Sequence, residues 1–302
     1  VTIKEEWILP SVGTVSSIHF ISKAVNNPIF GTLTPIYGAF DKMTDYYGDL
    51  HSIPLLETNK GYEIPFDLLE KELVDKKINV LLFCNPHNPS GKIWSKEELT
   101  KVVQICQEHG VLLVSDEIHS DLCHQGDQFY SLAHFFSEYS EILICSSPNK
   151  AFNLSGLNSS YVISSNLKLL QQVKVEQDKL HVSVNRIGAK YTEVVYREGT
   201  EWLEELKRYL EDNVTLLNKL LNIEGFEIER PSSGYLVWIK LPEIEDIDQF
   251  VLDVALNTGV LLESGSRFID NYDGFIRINV ATSRELLKEG LEKLTRYYKT
   301  IK

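Results

Sequence analysis

Short apolar runs bounded by turn formers alternate with amphipathic segments through about residue 165, the pattern of βα units around a mostly parallel sheet. Residues 80–84 (Val-Leu-Leu-Phe-Cys), 111–115 (Val-Leu-Leu-Val-Ser), 142–145 and 161–163 are predicted as strands. Each is apolar on both parities, which marks a strand covered on both faces. Between the first two, Ser95 and Glu98 form a capping box, Leu99, Val102, Val103 and Cys106 recur at helical spacing, and Gly110 stops the helix. After residue 166 the chain becomes long, charged and helical, and a helix is predicted over 201–221. That helix would bridge a large domain over 1–200 and a small α+β domain over 222–302, the latter with strands at 235–239 and 275–279 and a final helix over 284–298. The fold class expected is α/β, a mostly parallel sheet sandwiched by helices, with a smaller α+β C-terminal domain.

Composition narrows the choice of partner. The chain has 302 residues, 43% hydrophobic and 24% charged, enough for a large core and unlike a disordered or collagenous chain. Its 43 acidic and 30 basic residues give a net charge of -13, which argues against nucleic acid or an anionic membrane as partner and favours a small molecule. No apolar run approaches the roughly 20 residues of a membrane span, and no basic-then-apolar leader opens the chain; a cytoplasmic protein is expected. Cys84, Cys106, Cys123 and Cys145 contain no C-x-x-C pair and read as reduced thiols, with Cys84 and Cys145 at the ends of buried strands. The sequence starts at Val1 without an initiator Met, and a missing N-terminal segment is expected.

Four segments carry chemistry. Asn85-Pro86-His87-Asn88-Pro89-Ser90-Gly91 follows a strand and packs two X-Pro steps and a Gly into a rigid turn at the edge where open α/β folds bind ligands; read blandly, it is a loop of turn formers. Asp116-Glu117-Ile118-His119-Ser120-Asp121 places a carboxylate at a strand end, able to hold a heterocyclic nitrogen protonated. The same letters suit a hard cation or a solvated acidic turn. Ser146-Ser147-Pro148-Asn149-Lys150 offers a lysine that an apolar neighbourhood could deprotonate for attack on a carbonyl, or an ordinary surface lysine. Pro10-Ser11-Val12-Gly13-Thr14-Val15-Ser16-Ser17 opens a helix running to about Val25, whose free N–H groups suit an anion.

In this order the motifs resemble the aspartate-aminotransferase superfamily of pyridoxal-phosphate enzymes, fold type I. Asn-Pro-His-Asn-Pro-x-Gly, Asp-Glu-Ile-His-x-Asp and Ser-Pro-x-Lys-x-Phe-Asn-x-x-Gly-Leu are similar to the MalY/PatB-like branch of cystathionine β-lyases and cysteine-sulfur lyases. Pro35-Ile36-Tyr37-Gly38-Ala39-Phe40 and Gly274-Phe275-Ile276-Arg277-Ile278-Asn279 match further landmarks, so the likeness spans nearly the whole chain. The resemblance implies pyridoxal 5'-phosphate as cofactor and Lys150 as its Schiff-base lysine and the base that moves the α-proton. It implies Asp116 on the pyridinium nitrogen, Asn88 and His119 on the phenolic oxygen, and Tyr37 stacked on the ring. Gly13, Thr14 and Val15, helped by the Ser147 hydroxyl, would hold the phosphate, and Arg277 would grip the substrate's α-carboxylate. No metal is implied. The chain departs from the branch at Asn149, where Ser or Thr is usual, at Thr14, often Val, and over 268–274, usually richer in Gly.

The function implied is α,β-elimination on cystathionine or a related sulfur amino acid. Transamination by the same machinery is the runner-up, and a regulatory binding protein on the same fold is a third reading. The resemblance further implies a homodimer with its active sites at the subunit interface.

Overall fold

The computed structural model describes residues 1–59, 61–222, 225–270 and 272–301, without the side chain of Met43. Asn271 in the 268–274 run, Lys60 in the expected large domain, and Ile223, Glu224 and Lys302 in the expected small one lie outside the described residues.

The strands, in chain order, are β1 (Ile8–Ser11), β2 (Phe30–Thr34), β3 (Leu50–Pro54), the hairpin β4 (Leu56–Thr58) and β5 (Gly61–Glu63), β6 (Val80–Cys84), β7 (Leu112–Asp116), β8 (Ile142–Ser146), β9 (Ser160–Ile163), β10 (Glu227–Ile228), β11 (Leu236–Lys240), β12 (Glu263–Ser264) and β13 (Phe275–Asn279). The helices are α1 (Thr14–Ala24), α2 (Ala39–Thr44), α3 (Phe66–Asp75), α4 (Lys96–His109), α5 (Leu167–Lys179), α6 (Arg186–Glu198), α7 (Thr200–Leu221), α8 (Ile247–Thr258) and α9 (Arg284–Ile301).

A seven-stranded sheet runs β1-β9-β8-β7-β6-β2-β3. β8, β7, β6, β2 and β3 are mutually parallel, whereas β9 is antiparallel to β8 and β1 to β9. The apolar pattern accounts for the double covering of this sheet. Leu81, Phe83 and Leu113 pack with Leu69, Leu73, Leu99 and Val102 of α3 and α4. Their neighbours Val80, Leu82, Leu112 and Val114 pack on the other face with Ile18 and Ile21 of α1 and Leu170 and Val173 of α5. Burial of each such side chain contributes about 1.5–3 kcal/mol, so a sheet with water on one side would forgo much of its stabilisation.

The α/β loops therefore all leave from one edge. Helix α4 holds the 85–95 loop there. Ser95 Oγ accepts the Glu98 N–H at 3.1 Å while the Glu98 carboxylate accepts the Ser95 N–H at 2.7 Å, and Gly110 closes the helix at φ 65°. Inside that loop the fully buried Trp94 donates its indole N–H to the Cys84 carbonyl at 2.9 Å.

A second, antiparallel sheet runs β10-β11-β13-β12. Its core takes Val214, Leu217 and Leu221 from α7, Phe250 and Val254 from α8, and Leu287, Leu291 and Leu294 from α9. The first half of α7 packs elsewhere, with Leu203, Leu206 and Leu210 against Ala151, Phe152 and Leu122. One helix thus adjoins both layers of structure.

Several boundaries differ from the sequence reading. Pro10 and Ser11, expected at the opening of the first helix, lie on β1, and α1 starts at Thr14. The strand expected at 111–115 is shifted by one residue, which makes Asp116 its last member, and β11 likewise starts at Leu236 rather than Tyr235. Ladder partners set these ends: Asp116 pairs with Cys84 and Cys145, and Leu236 with Asn279.

Ser95→Ala removes one side of the capping box, so urea unfolding should show a loss of about 1 kcal/mol. Unchanged stability would mean that the cap does not support the 85–95 loop.

Candidate active site

The loops after β6, β7 and β8, the first turn of α1 and strand β13 enclose a cavity of about 410 Å³, a size suited to a small-molecule site. A second chamber of about 380 Å³ shares Lys150, Tyr235 and Asn279 with it.

At the α1 wall, Gly13 has φ 152° and ψ 148°, a region open essentially to glycine alone. This bend turns the chain from β1 into the helix. Gly13 N–H donates to Ser160 Oγ at 2.7 Å, and Gly13 C=O accepts from Ser17 N–H at 2.8 Å. Thr14, Val15 and Ser16 all line the cavity, and their N–H groups have no acceptor among the described residues. Three free donors at a helix start make an anion cradle. This corrects the expected set: Gly13 shapes the cradle, its own N–H is already engaged, and Ser16 joins Thr14 and Val15.

Ser147, expected to help hold a phosphate, lies behind the cavity wall. It is fully buried and does not line the cavity. Its hydroxyl donates to the Ser159 carbonyl at 2.6 Å and accepts the Asn149 N–H at 3.1 Å. A serine hydroxyl has one proton to give, and here it is spent on holding the loop before Lys150.

At the sheet edge, Asp116 ends β7 and is 7% exposed. Burial pushes its carboxyl up to about 6, against the pull of the Ile118 N–H, which donates to Oδ1 at 3.1 Å, and of the Lys150 charge. Lys150 lines the cavity, and its Nζ makes no hydrogen bond or ion pair among the described residues. Burial pushes the His119 imidazole down to about 3, with the Lys150 and Arg277 charges acting in the same direction. The ring is therefore neutral at neutral pH, with one nitrogen a donor and the other an acceptor. Asp121 is not in the lining and accepts a hydrogen bond from the Tyr196 hydroxyl at 3.3 Å.

Across the cavity, Arg277 projects from β13. Its Nη1 donates to Asn88 Oδ1 at 2.8 Å, its Nη2 is paired with Glu263, and its guanidinium lies over the Phe268 ring, 5.0 Å from the centroid. Burial lowers the Arg277 pKa from its ordinary value, and Glu263 opposes that. Asn88 keeps its amide N–H groups without an acceptor among the described residues. Tyr37, 40% exposed, stands at the mouth and forms an isolated bridge with Phe268. Gly13, Thr14, Val15, Tyr37, Asn88, Asp116, His119, Lys150 and Arg277 thus meet at one cavity, and Ser147 does not.

Sequence reasoning missed Tyr235, Asn158 and Asn279 in the lining, and Glu263 behind it. Asn279 was reachable, since it lies two residues from Arg277 on the same strand face. Glu263 was not, because its role follows from a cross-strand register. Glu117 was also passed over. It is buried, accepts from Ser131 Oγ at 2.7 Å and Leu132 N–H at 3.0 Å, and burial pushes its carboxyl up to about 7.

Both carboxyls, of Asp116 and Glu117, sit above their ordinary values in the folded chain, so ionising them costs folding free energy. That cost is absent below about pH 4 and grows as pH rises towards about 6 for Asp116 and about 7 for Glu117. Glu117→Gln is neutral throughout. Its stability relative to the parent chain should shift in its favour by up to about 3 kcal/mol between about pH 4.5 and about pH 7.5, measured by urea unfolding at each pH. A constant difference would show that Glu117 titrates normally.

The profile of the family described as aminotransferase class I and II matches residues 2–294. Cystathionine beta-lyase PatB of Bacillus subtilis is 33% identical over 301 residues, covering 97% of this chain and 78% of its own length. Among solved structures, a PLP-bound C-S lyase from Staphylococcus hominis superposes with a TM-score of 0.91 at 33% identity, over 98% of this chain and 75% of that one. A PLP-bound putative aminotransferase from Clostridium difficile gives 0.92 at 29% identity, over 97% and 78%. With its mostly parallel sheet, Asp116 at the end of β7 and Lys150 in the loop after β8, the chain belongs to the class I and II aminotransferase family.

Proposed function

We propose that this protein is a pyridoxal-5'-phosphate-dependent carbon–sulfur lyase that cleaves the Cβ–S bond of cystathionine or a related sulfur amino acid, consuming water and releasing a thiol, ammonia and pyruvate. The observation that carries the reading is the meeting of Lys150, Asp116, Arg277 and the α1 cradle at one cavity, in a chain 33% identical to a cystathionine β-lyase.

The donor set fits the cofactor group by group. Thr14, Val15 and Ser16 have N–H groups free for a phosphate, and Asp116 has an oxygen beyond the one held by Ile118 for a protonated ring nitrogen. Asn88 has amide N–H groups free and His119 a neutral ring for a phenolic oxygen, Tyr37 offers a ring face, and Lys150 offers an amine without a partner. When bound, the cofactor supplies an electron sink for the pair left by the α-proton.

The protein's part is positioning and proton movement. Arg277 holds the α-carboxylate and so orients the Cα–H bond towards Lys150. The Lys150 amine takes the α-proton. Asp116, ionised, keeps a positive charge beside it through the reaction, which a neutral residue would not. His119 and Asn88 hold a ring oxygen in place without adding charge.

A second reading, transamination, draws support from the likeness to the protein described as a putative aminotransferase. The same residues serve both; the outcome depends on where the α-proton is returned. We read the division into 1–200, 201–221 and 222–302 as domain, bridging helix and domain, since α7 packs on both sides. A homodimer in the cytoplasm completes the proposal. Among the described residues no helix is long and apolar enough to cross a membrane.

Pyruvate should appear from L-cystathionine with no keto acid present. Product that depends on an added keto acid would favour transamination instead. Lys150→Ala should lower the rate by at least about a thousandfold, and borohydride reduction followed by peptide mapping should find the cofactor on Lys150; a stable label elsewhere overturns the assignment. Asp116→Asn should slow α-hydrogen exchange by about a hundredfold or more while leaving the far-UV spectrum unchanged, and wild-type exchange would remove Asp116 from the role.

A further inference from the structure

The Arg277 guanidinium is not an open fork. Nη1 donates to Asn88 and Nη2 is paired with Glu263 Oε2. The second contact is built into the smaller sheet, because Glu263 and Arg277 are directly opposed across β12 and β13 and directly opposed side chains leave the same face. The other oxygen, Glu263 Oε1, lies 3.7 Å from Nη1 of Arg267, which is 72% exposed. Glu263 therefore stands between two guanidinium groups, one in the cavity wall and one in solvent.

We propose that Glu263 is a resident carboxylate that masks Arg277 and is handed over to Arg267 when a substrate's α-carboxylate takes its place. This rests on the reading of Arg277 as the carboxylate-binding residue. An arriving carboxylate meets one already on the same cation. A second carboxylate on one guanidinium is repelled by the first, so binding is favoured when the partly buried Glu263 pair opens as the new one forms. The net gain is smaller than at a bare arginine, and Glu263 sets how much smaller. Arg267 lowers the cost because it is already within reach of the displaced oxygen. Glu263 is in this sense a positioning residue for affinity, acting through Arg277. If it merely oriented the guanidinium, removing its charge would have the opposite effect on binding.

Propionate is a suitable probe, since it carries the carboxylate without an amine and undergoes no chemistry. Isothermal titration should show Glu263→Gln binding it about five- to tenfold more tightly than the parent protein, and Arg267→Gln about threefold more weakly. In the Glu263→Gln background the Arg267 substitution should lose its effect, as expected of coupled residues. KM for L-cystathionine should fall in parallel in Glu263→Gln, with kcat changed less than about twofold. Unchanged or weaker propionate binding by Glu263→Gln, with an unaltered circular dichroism spectrum, overturns the proposal. Arg277→Ala separates the two levels of argument: if it abolishes propionate binding, Arg277 is the carboxylate site whatever Glu263 does. If it does not, the assignment of Arg277 fails and the role of Glu263 with it.

Discussion

An ionised carboxylate is costly to place at the mouth of a doubly covered sheet, and this site is organised around one. Asp116 ends β7 between Cys84 and Cys145 of the adjacent strands, in surroundings that push its carboxyl up to about 6. The Ile118 N–H and the Lys150 charge ease that burden. The same burial drives His119 the other way, and Lys150 and Arg277 add to it, so a neutral imidazole sits among charged groups. Uncompensated, each buried charge would cost several kcal/mol. The loops after β6, β7 and β8 are thus coupled electrostatically as well as by proximity, and a change at one is felt at the others.

The second constraint is mechanical. Arg277 comes from a sheet that shares no ladder with the larger one among the described residues, yet it lines the same cavity as Lys150 and Asp116. Side-chain and loop contacts make the connection. Asn88 accepts from Arg277, Thr34 Oγ1 donates to Asp270 Oδ2 at 2.6 Å, and Ile269 N–H donates to the Ile36 carbonyl at 3.1 Å. Trp238 of the smaller sheet stacks on Phe275 at 5.0 Å and donates its indole N–H to the Tyr62 hydroxyl at 3.1 Å. Phe268, Ile269 and Asp270, in the run where the resemblance implies more Gly, take part in this fastening. Phe268 and Ile269 are buried, and Phe268 lies beneath the Arg277 guanidinium.

Much of this was legible in one dimension because its causes are local. Runs of five apolar residues announce strands buried on both faces, and β6 falls where the pattern predicts it. The capping box at Ser95 and the left-handed Gly110 mark the ends of α4 through contacts within a single turn. Asp116, Lys150 and the α1 opening stand out because turn chemistry and helix starts are written in adjacent residues. Their convergence follows from the fold class, since parallel strands deliver their loops to one edge.

Only the tertiary structure decided the rest, wherever the partner is distant in sequence. The antiparallel edge made by β1 and β9 depends on a pairing between residues 8–11 and 160–163, and nothing in either run states its direction. Ser147 looked available by type and position, yet its one proton goes to Ser159, and Gly13 lost its N–H to Ser160 across the same loop. Glu263 faces Arg277 because of the register of two short strands, and a shift of one residue would turn it to the opposite face. Residue types and local periodicity determine which groups the chain can bring to the site. Long-range register and hydrogen-bond competition determine which of those groups are still free to act there.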